Sequence, residues 1–182
     1  MIDYAQQDSS FYRDNEVFCE SVEQELAQFN ARVKGSCTAY GFDIKATFQL
    51  KGVSYTIKYN KAQTGQNGVI IPRDANEAVE ITLSMKGIPN YSRMKVGKNW
   101  FKRLYSHSTL KKELPSPYFI FLSNSSPRLQ KELMLIQLIL MNRLDAFDLD
   151  RATLMVKMSR LNLSVIDLMN EIDNIFNDKH HD

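Results

Sequence analysis

Two alternating hydrophobic runs on either side of a short turn constrain the fold of this 182-residue chain more than any other feature. Residues 42–50 place an apolar side chain at every second position, and residues 53–59 repeat the pattern. Lys51 and Gly52 stand between the two runs. Period-two alternation around a glycine-containing turn predicts a β-hairpin. One face of this hairpin is apolar and the other polar, which is typical of an antiparallel sheet that is covered on one side.

The segments around the hairpin predict helices and further strands. A stripe of apolar residues at spacings of three and four predicts a first helix over residues 10–34, with Gly35 as its stop. Residues 79–85 alternate again and predict a third strand. Residues 87–117 show no regular pattern, apart from a short helix that Trp100, Phe101 and Leu104 would share.

The last third of the chain has the clearest boundaries. Residues 118–122 and 152–158 predict strands. Ser126 and Pro127 predict the start of an apolar helix that runs to about residue 144, and Ser164 predicts the cap of a closing helix. The predicted order is α-β-β-β, an irregular segment, then β-α-β-α. This is an α+β fold, an antiparallel sheet with helices packed mainly on one face, in a single domain over residues 1–182 with frayed ends at 1–8 and 177–182.

Composition and cysteine content favour an ordinary globular protein. The chain is 43% hydrophobic and 24% charged, with a net charge of +2. Two cysteines, Cys19 and Cys37, are too few for a disulfide framework, which favours two reduced thiols over one bridge. The N-terminus has no signal-peptide pattern, and the longest apolar stretch, residues 133–141, is short beside the roughly 20 residues of a membrane span. We therefore expect a cytoplasmic protein.

The most uneven feature is the placement of charge. Residues 86–112 carry eight basic residues and no acidic one, together with several aromatic residues. One interpretation is a surface that binds a polyanion or an anionic membrane, because cations release condensed counterions and aromatic rings stack or seat at an interface. The alternative is that the segment packs on the first helix, whose region is strongly acidic. The candidate anion-binding residues are Lys95, Lys98, Trp100, Lys102 and Arg103.

Motifs that carry catalysis are missing from the sequence. There is no glycine-rich phosphate loop, no GxSxG and no zinc-ligand spacing. Asp145, Asp148 and Asp150 are interpreted as a solvated helix exit rather than a magnesium or acid–base site. An enzyme site near His107 is the last-ranked hypothesis. We predict no enzyme activity, no catalytic residue, no metal and no cofactor.

A resemblance is carried by patterning near the C-terminus. The sequence PYFIFLSN at 117–124 enters an apolar helix, and TLMVKM at 153–158 precedes a closing amphipathic helix. These roughly 60 residues resemble uncharacterised bacterial α+β domain families, which offer no catalytic residues to carry over. A helix followed by three strands is also similar to small secretion-chaperone-like domains. The function we predict is therefore a non-enzymatic protein-interaction or assembly domain of a bacterial complex, with self-association into a homodimer as one form.

Overall fold

The fold is described from a computed structural model of the chain. The contacts divide the chain into two compact units, unit 1 over Met1–Ser84 and unit 2 over Met85–Asp182, and each is described by itself. The single domain over 1–182 stays a prediction. The structure describes residues 1–5, 12–62, 65–66, 69–70, 79–88, 93–106, 112–123, 129–159 and 164–177.

Unit 1 is a mainly antiparallel sheet with one long helix. Its elements are β1 (Ile2–Tyr4), α1 (Tyr12–Ala27), β2 (Arg32–Thr38), β3 (Gly41–Leu50), β4 (Val53–Ala62), the two-residue strands β5 (Gly65–Gln66) and β6 (Val69–Ile70), and β7 (Glu80–Lys86), which begins in this unit. The strand order is β1-β2-β3-β4-β7, and β5 pairs with β6 separately. Strands β2, β3 and β4 run antiparallel, whereas β1 lies parallel to β2.

The β3–β4 hairpin is the predicted one. Its turn places Lys51 and Gly52 at positive φ, and the alternating residues of both strands are buried on one face, the inner face of unit 1. Helix α1 covers this face, where the ring of Phe18 stacks on that of Phe42 with centroids 4.6 Å apart. The rings of Phe48 and Tyr55 stack at 5.0 Å across the hairpin. The opposite, outer face carries the polar residues.

The first helix is shorter than its sequence predicts. Helix α1 ends at Ala27, and the turn that follows places Asn30 at a φ of 51°, the left-handed conformation that commonly ends helices. Gly35 is therefore not a helix stop but a residue of β2. The helical spacing of Phe29 and Val33 misled the prediction, because Val33 fits the period of a strand equally well. Residues 2–4, expected to fray, pair with β2.

Unit 2 is an antiparallel sheet with three helices. Its strand order is β11-β10-β8-β9, and each neighbouring pair is antiparallel. Alternate residues of β8 and β10, such as Met94, Val96 and Phe147, are buried on one face, while Lys95 and Asp148 point to the other. The elements are β8 (Arg93–Lys98), α2 (Trp100–Leu104), β9 (Tyr118–Ser123), α3 (Leu129–Met141), β10 (Ala146–Asp150), β11 (Thr153–Met158) and α4 (Val165–Asn177).

The α+β class is confirmed, but the element order differs from the prediction. The segment 87–117, predicted to be irregular apart from a short helix, contains that helix as α2 and also the strand β8, which was not predicted. Asp148 and Asp150 do not lie at a helix exit but in β10, a five-residue strand whose alternation is too short to stand out beside its charges. The strand near 152–158 and the cap of the last helix are confirmed, since the hydroxyl of Ser164 accepts the backbone N–H of Asp167. Ser126 and Pro127 lie outside the described residues.

The longest apolar stretch of the sequence lies in α3. Four of its side chains, those of Leu135, Ile136, Leu138 and Ile139, are buried. None of the helices in the described ranges combines the length and the hydropathy that a bilayer crossing requires. The stretch is thus accounted for by packing, and the cytoplasmic location of the chain stays a prediction.

Gly35 gives a testable account of why β2 accepts no side chain at this point. A Cβ atom built there would lie 2.1 Å from the carbonyl oxygen of Asp43 in β3, so Gly35→Ala should separate the two strands. We expect a loss of about 2 kcal/mol or more in the free energy of unfolding. Urea denaturation followed by circular dichroism measures it. Gly52→Asn is the control, because a Cβ there meets nothing within 4 Å, and it should cost about 1 kcal/mol.

Candidate interaction surface

Helix α2 is a single turn that polar side chains fix in place. The side-chain oxygen of Asn99 accepts the backbone N–H of Lys102 at 3.0 Å, which caps the start of the helix. The guanidinium of Arg103 donates to three backbone carbonyls, those of Leu114 at 2.9 Å, Pro115 at 3.2 Å and Tyr118. Five fixed donors suit Arg for such a role. The anchors of α2 are therefore hydrogen bonds and not a buried apolar face.

The large apolar side chains of this turn point to solvent. Trp100 is 56% exposed, Phe101 71%, Leu104 55% and Tyr105 70%, and no residue of α2 itself is buried. The rings of Trp100 and Phe101 meet edge to face at 5.3 Å. We call these four residues the α2 patch. A helix of a globular protein normally turns its apolar stripe inward, so this turn has the reverse arrangement.

The sequence did not indicate this orientation. The aromatic residues of this stretch were interpreted either as part of a binding surface or, for Trp100 and Phe101, as core anchors, and Leu104 was not considered as a surface residue. A usable signal was present in Asn99, a preferred helix cap that directly precedes the turn. Capping predicts where the helix begins, but which side of a single turn faces the sheet depends on Arg103 finding the carbonyls of residues 114–118.

Three basic residues of the neighbouring strand β8 are held by two acids of β10 and by Asp145, the residue just before it. Arg93 pairs with Asp150 at 2.6 Å, and Lys95 pairs with Asp148 at 2.8 Å. Both pairs lie directly opposite one another in the β8–β10 register. The remaining pair is Lys98 with Asp145, also at 2.6 Å. The three aspartates interpreted as a solvated helix exit thus neutralise part of the basic segment.

Lys98 is the most constrained of these cations. Partial burial acts to lower the pKa of Lys98, but hydrogen bonds to Asp145 and Tyr118 outweigh it and raise that pKa above its usual value. Its ammonium also lies 5.4 Å from the centre of the Tyr118 ring. Lys98 therefore stays charged, and its charge is directed at protein groups.

The other candidate cations lie on α2 itself. The ammonium of Lys102 sits 5.5 Å from the centre of the Phe119 ring, and no ion pair of Lys102 occurs within the described ranges. Arg103 is occupied by the carbonyls. The structure therefore brings Trp100, Lys102 and Arg103 together on one turn, with Lys98 just before it. An anion-binding role for these residues stays a prediction, as does packing on the first helix, and His107 lies outside the described residues.

The turn also covers the edge strand β9. The hydroxyl of Ser106 donates to the carbonyl of Ile120 at 2.6 Å and accepts the N–H of the same residue at 3.2 Å. Arg103 engages the carbonyl of Tyr118 on the same side of the strand. Backbone groups of Tyr118 and Ile120, on the edge of β9 that faces away from β8, are thus hydrogen-bonded by side chains. These bonds fix the turn against this edge of the sheet.

Unit 1 contains a buried pair of polar side chains, Asn15 and Lys61. Lys61 is only 8% exposed, and its ammonium donates to the side-chain oxygen of Asn15 at 2.8 Å. Asn15 in turn donates to the carbonyl of Thr38 at 2.9 Å. Cys19 and Cys37 are free and fully buried nearby, and burial raises the pKa of both thiols. A thiol with a raised pKa is a poor nucleophile. In the part of the chain that the structure describes, His, Cys, Asp and Glu residues form no group of three suited to a metal ion.

Comparisons with known proteins find no significant match. The chain matches no family model, and neither the curated proteins nor the solved structures contain a protein similar to it at a significant level. The resemblance of the roughly 60 C-terminal residues to uncharacterised bacterial α+β domain families therefore stays a prediction.

Ser106 supplies a direct test of how the turn is anchored. Ser106→Ala removes the only partner described for the N–H and the carbonyl of Ile120 on that side of β9, and we expect a loss of about 1–3 kcal/mol in the free energy of unfolding. Chemical denaturation measures the loss. Ser36→Ala, at an exposed position of β2, should change it by less than about 0.5 kcal/mol. Equal effects of the two substitutions would contradict the anchoring role.

Lys61 predicts a pH dependence of stability. Burial lowers the pKa of Lys61 from its ordinary 10.5, so the folded chain releases this proton at a lower pH than the unfolded chain. Between the two pKa values the unfolded state binds more protons, and stability contributed by this group rises with pH. Denaturation of the wild type and of Lys61→Met at increasing pH up to 10.5 should show the wild type gaining relative to the variant. A difference that does not change with pH would refute the prediction.

Proposed function

We propose that this chain is a protein-interaction domain that docks a partner chain on the α2 patch. The observation that carries the proposal is the reversed arrangement of α2, which holds the sheet with polar side chains and presents Trp100, Phe101, Leu104 and Tyr105 to solvent. Folding gains little from such an arrangement, because the apolar side chains keep most of their contact with water. A partner that covers them gains that burial instead.

The chemistry of the patch is that of a protein interface. Trp, Tyr and Phe are enriched at the centres of interfaces, and Trp and Tyr dominate binding hot spots. Their rings bury a large area while few torsions are frozen. The turn that carries them is fixed by Asn99, Arg103 and Ser106 before any partner arrives, so docking costs little further ordering.

Support for a polyanion-binding role of residues 86–112 is weaker. Arg93, Lys95 and Lys98 are paired with aspartates, and Arg103 is occupied by carbonyls. Counterion release needs cations that are free to contact phosphates. Among the four candidate cations, Lys95, Lys98, Lys102 and Arg103, Lys102 alone has neither an acid nor a carbonyl as a partner within the described residues. A single lysine at the rim suits an acidic residue of a protein partner.

The partner we infer presents an apolar groove with an acidic rim. Such a groove would receive Trp100 and Phe101, while the rim would meet Lys102. A second copy of this chain and a different protein are the two forms that the interaction takes in our proposal. The absence of enzyme activity, the bacterial source and the homodimer stay predictions.

A photo-crosslinker distinguishes these forms. With a benzophenone amino acid in place of Phe101, irradiation in the native cell extract should join the chain to one dominant partner, identified by mass spectrometry. The same residue in place of Tyr40, 49% exposed in unit 1, is the control and should not enrich that partner. A crosslink to this chain itself would indicate self-association. Equal, diffuse labelling from both positions would contradict the proposal.

The identified partner then permits a quantitative test. Trp100 is the chain's sole tryptophan, so its emission should shift to shorter wavelength as the purified partner covers it. Trp100→Ser with Phe101→Ser should weaken binding, measured by calorimetry, about 30-fold or more. Val17→Ser with Tyr40→Ser, at similarly exposed positions, should leave affinity unchanged. An unchanged affinity of the patch variant, with an unchanged thermal melt, would remove the α2 patch from the interface.

A further inference from the structure

Three lysines form a straight row across the outer face of unit 1. In the register of the sheet, Lys34 of β2 lies directly opposite Lys45 of β3, and Lys45 lies directly opposite Lys58 of β4. All three side chains are exposed. We call them the lysine row. Neighbouring strands lie about 4.8 Å apart, so the Cα atoms of the three lysines span about 10 Å.

This arrangement opposes folding. Like charges directly opposite on neighbouring strands repel each other and destabilise a sheet. Within the described residues none of the three lysines forms an ion pair. Arg32 lies in the neighbouring cross-strand row on one side of the lysine row. The acids Asp3 and Asp43 lie in the neighbouring row on the other side. The basic residues of β8 pair with acids opposite them, whereas the three lysines of the row lie opposite one another.

We infer that the outer face of unit 1 binds the phosphodiester backbone of nucleic acid through the lysine row. A regular array of cations fits a regular array of phosphates, and each contact releases condensed counterions. This inference concerns a different unit from the α2 patch and stands independently of the proposed function.

The rest of the face favours a nucleic acid over a membrane. Besides Arg32 and the acid Asp43, most outward positions of β2, β3 and β4 around the row carry hydroxyl and amide side chains. Such groups contact phosphate oxygens in protein–DNA complexes. None of these outward positions carries an aromatic residue, Leu, Ile, Val or Met, so nothing there would enter the acyl region of a bilayer. The residues with hydroxyl or amide groups are Ser36, Thr47, Gln49, Ser54, Thr56 and Asn60.

The same composition defines the mode of binding. Proteins that hold single strands stack the bases on aromatic side chains, and this face has none. Contacts to phosphates carry no sequence information directly. The face should therefore hold a duplex at least as well as a single strand, without sequence preference and with strong dependence on salt.

Fluorescence anisotropy of the full chain with a labelled duplex of about 16 base pairs tests the inference. The row variant, Lys34→Gln with Lys45→Gln and Lys58→Gln, removes three positive charges. Its control removes three from exposed sites of unit 2, with Lys112→Gln, Arg143→Gln and Lys157→Gln. Raising the salt from about 50 to about 200 mM should weaken wild-type binding about 40-fold more than binding of the row variant. The control should keep the wild-type salt dependence.

Stability separates a binding role from a structural one. Lys45→Thr places a strand-forming residue between Lys34 and Lys58 and removes the repulsion, so its melting temperature should rise while its duplex affinity falls. Three results would overturn the inference: no duplex binding by the wild type at about 50 mM salt, equal losses in the row variant and its control, or binding to phosphatidylserine vesicles in the absence of duplex binding. Loss of the α2 patch should leave duplex binding intact.

Discussion

Cross-strand register is the constraint on which the chemistry of both units depends. Antiparallel pairing brings side chains face to face in rows, and the sequence decides which charges share a row. In unit 2 the register sets Lys95 against Asp148, so the charges cancel. In unit 1 the same rule sets Lys34 and Lys58 on either side of Lys45, so they add. The shift of a strand by one residue would exchange its faces and abolish either arrangement.

How much the sequence alone predicts follows from the range of each signal. The hairpin at residues 42–59 was predictable, because alternation and a glycine turn are local. The lysine row was not predictable, because Lys34 lies in β2. Helical spacing had assigned the first residues of this strand, up to Lys34, to the first helix. The partners of the basic segment were missed for a related reason, since Asp148 meets Lys95 only through a pairing 53 residues apart in sequence.

The α2 patch illustrates a different limit. Its apolar residues read equally well as core or as surface, and the choice is made by polar residues that reach far along the chain. Arg103 secures carbonyls 11 to 15 residues later, and Ser106 reaches Ile120. With these bonds made, more than half of the surface of Trp100 and of Phe101 stays exposed to solvent. Hydrophobicity scales count the aromatic rings but not the hydrogen bonds of Arg103 and Ser106. They therefore favour an orientation in which the rings face the sheet.

The hydroxyl of Ser106 has a consequence for how copies of this chain coexist at high concentration. A terminal strand with vacant backbone groups is a template on which other chains stack, and YFIFL in β9 has the apolar, uncharged composition that such stacking favours. The side chain of Ser106 satisfies both backbone groups of Ile120. A second chain that added to this edge could therefore not form those two hydrogen bonds in the middle of β9. The anchor of α2 is thereby also a safeguard against amyloid-like growth.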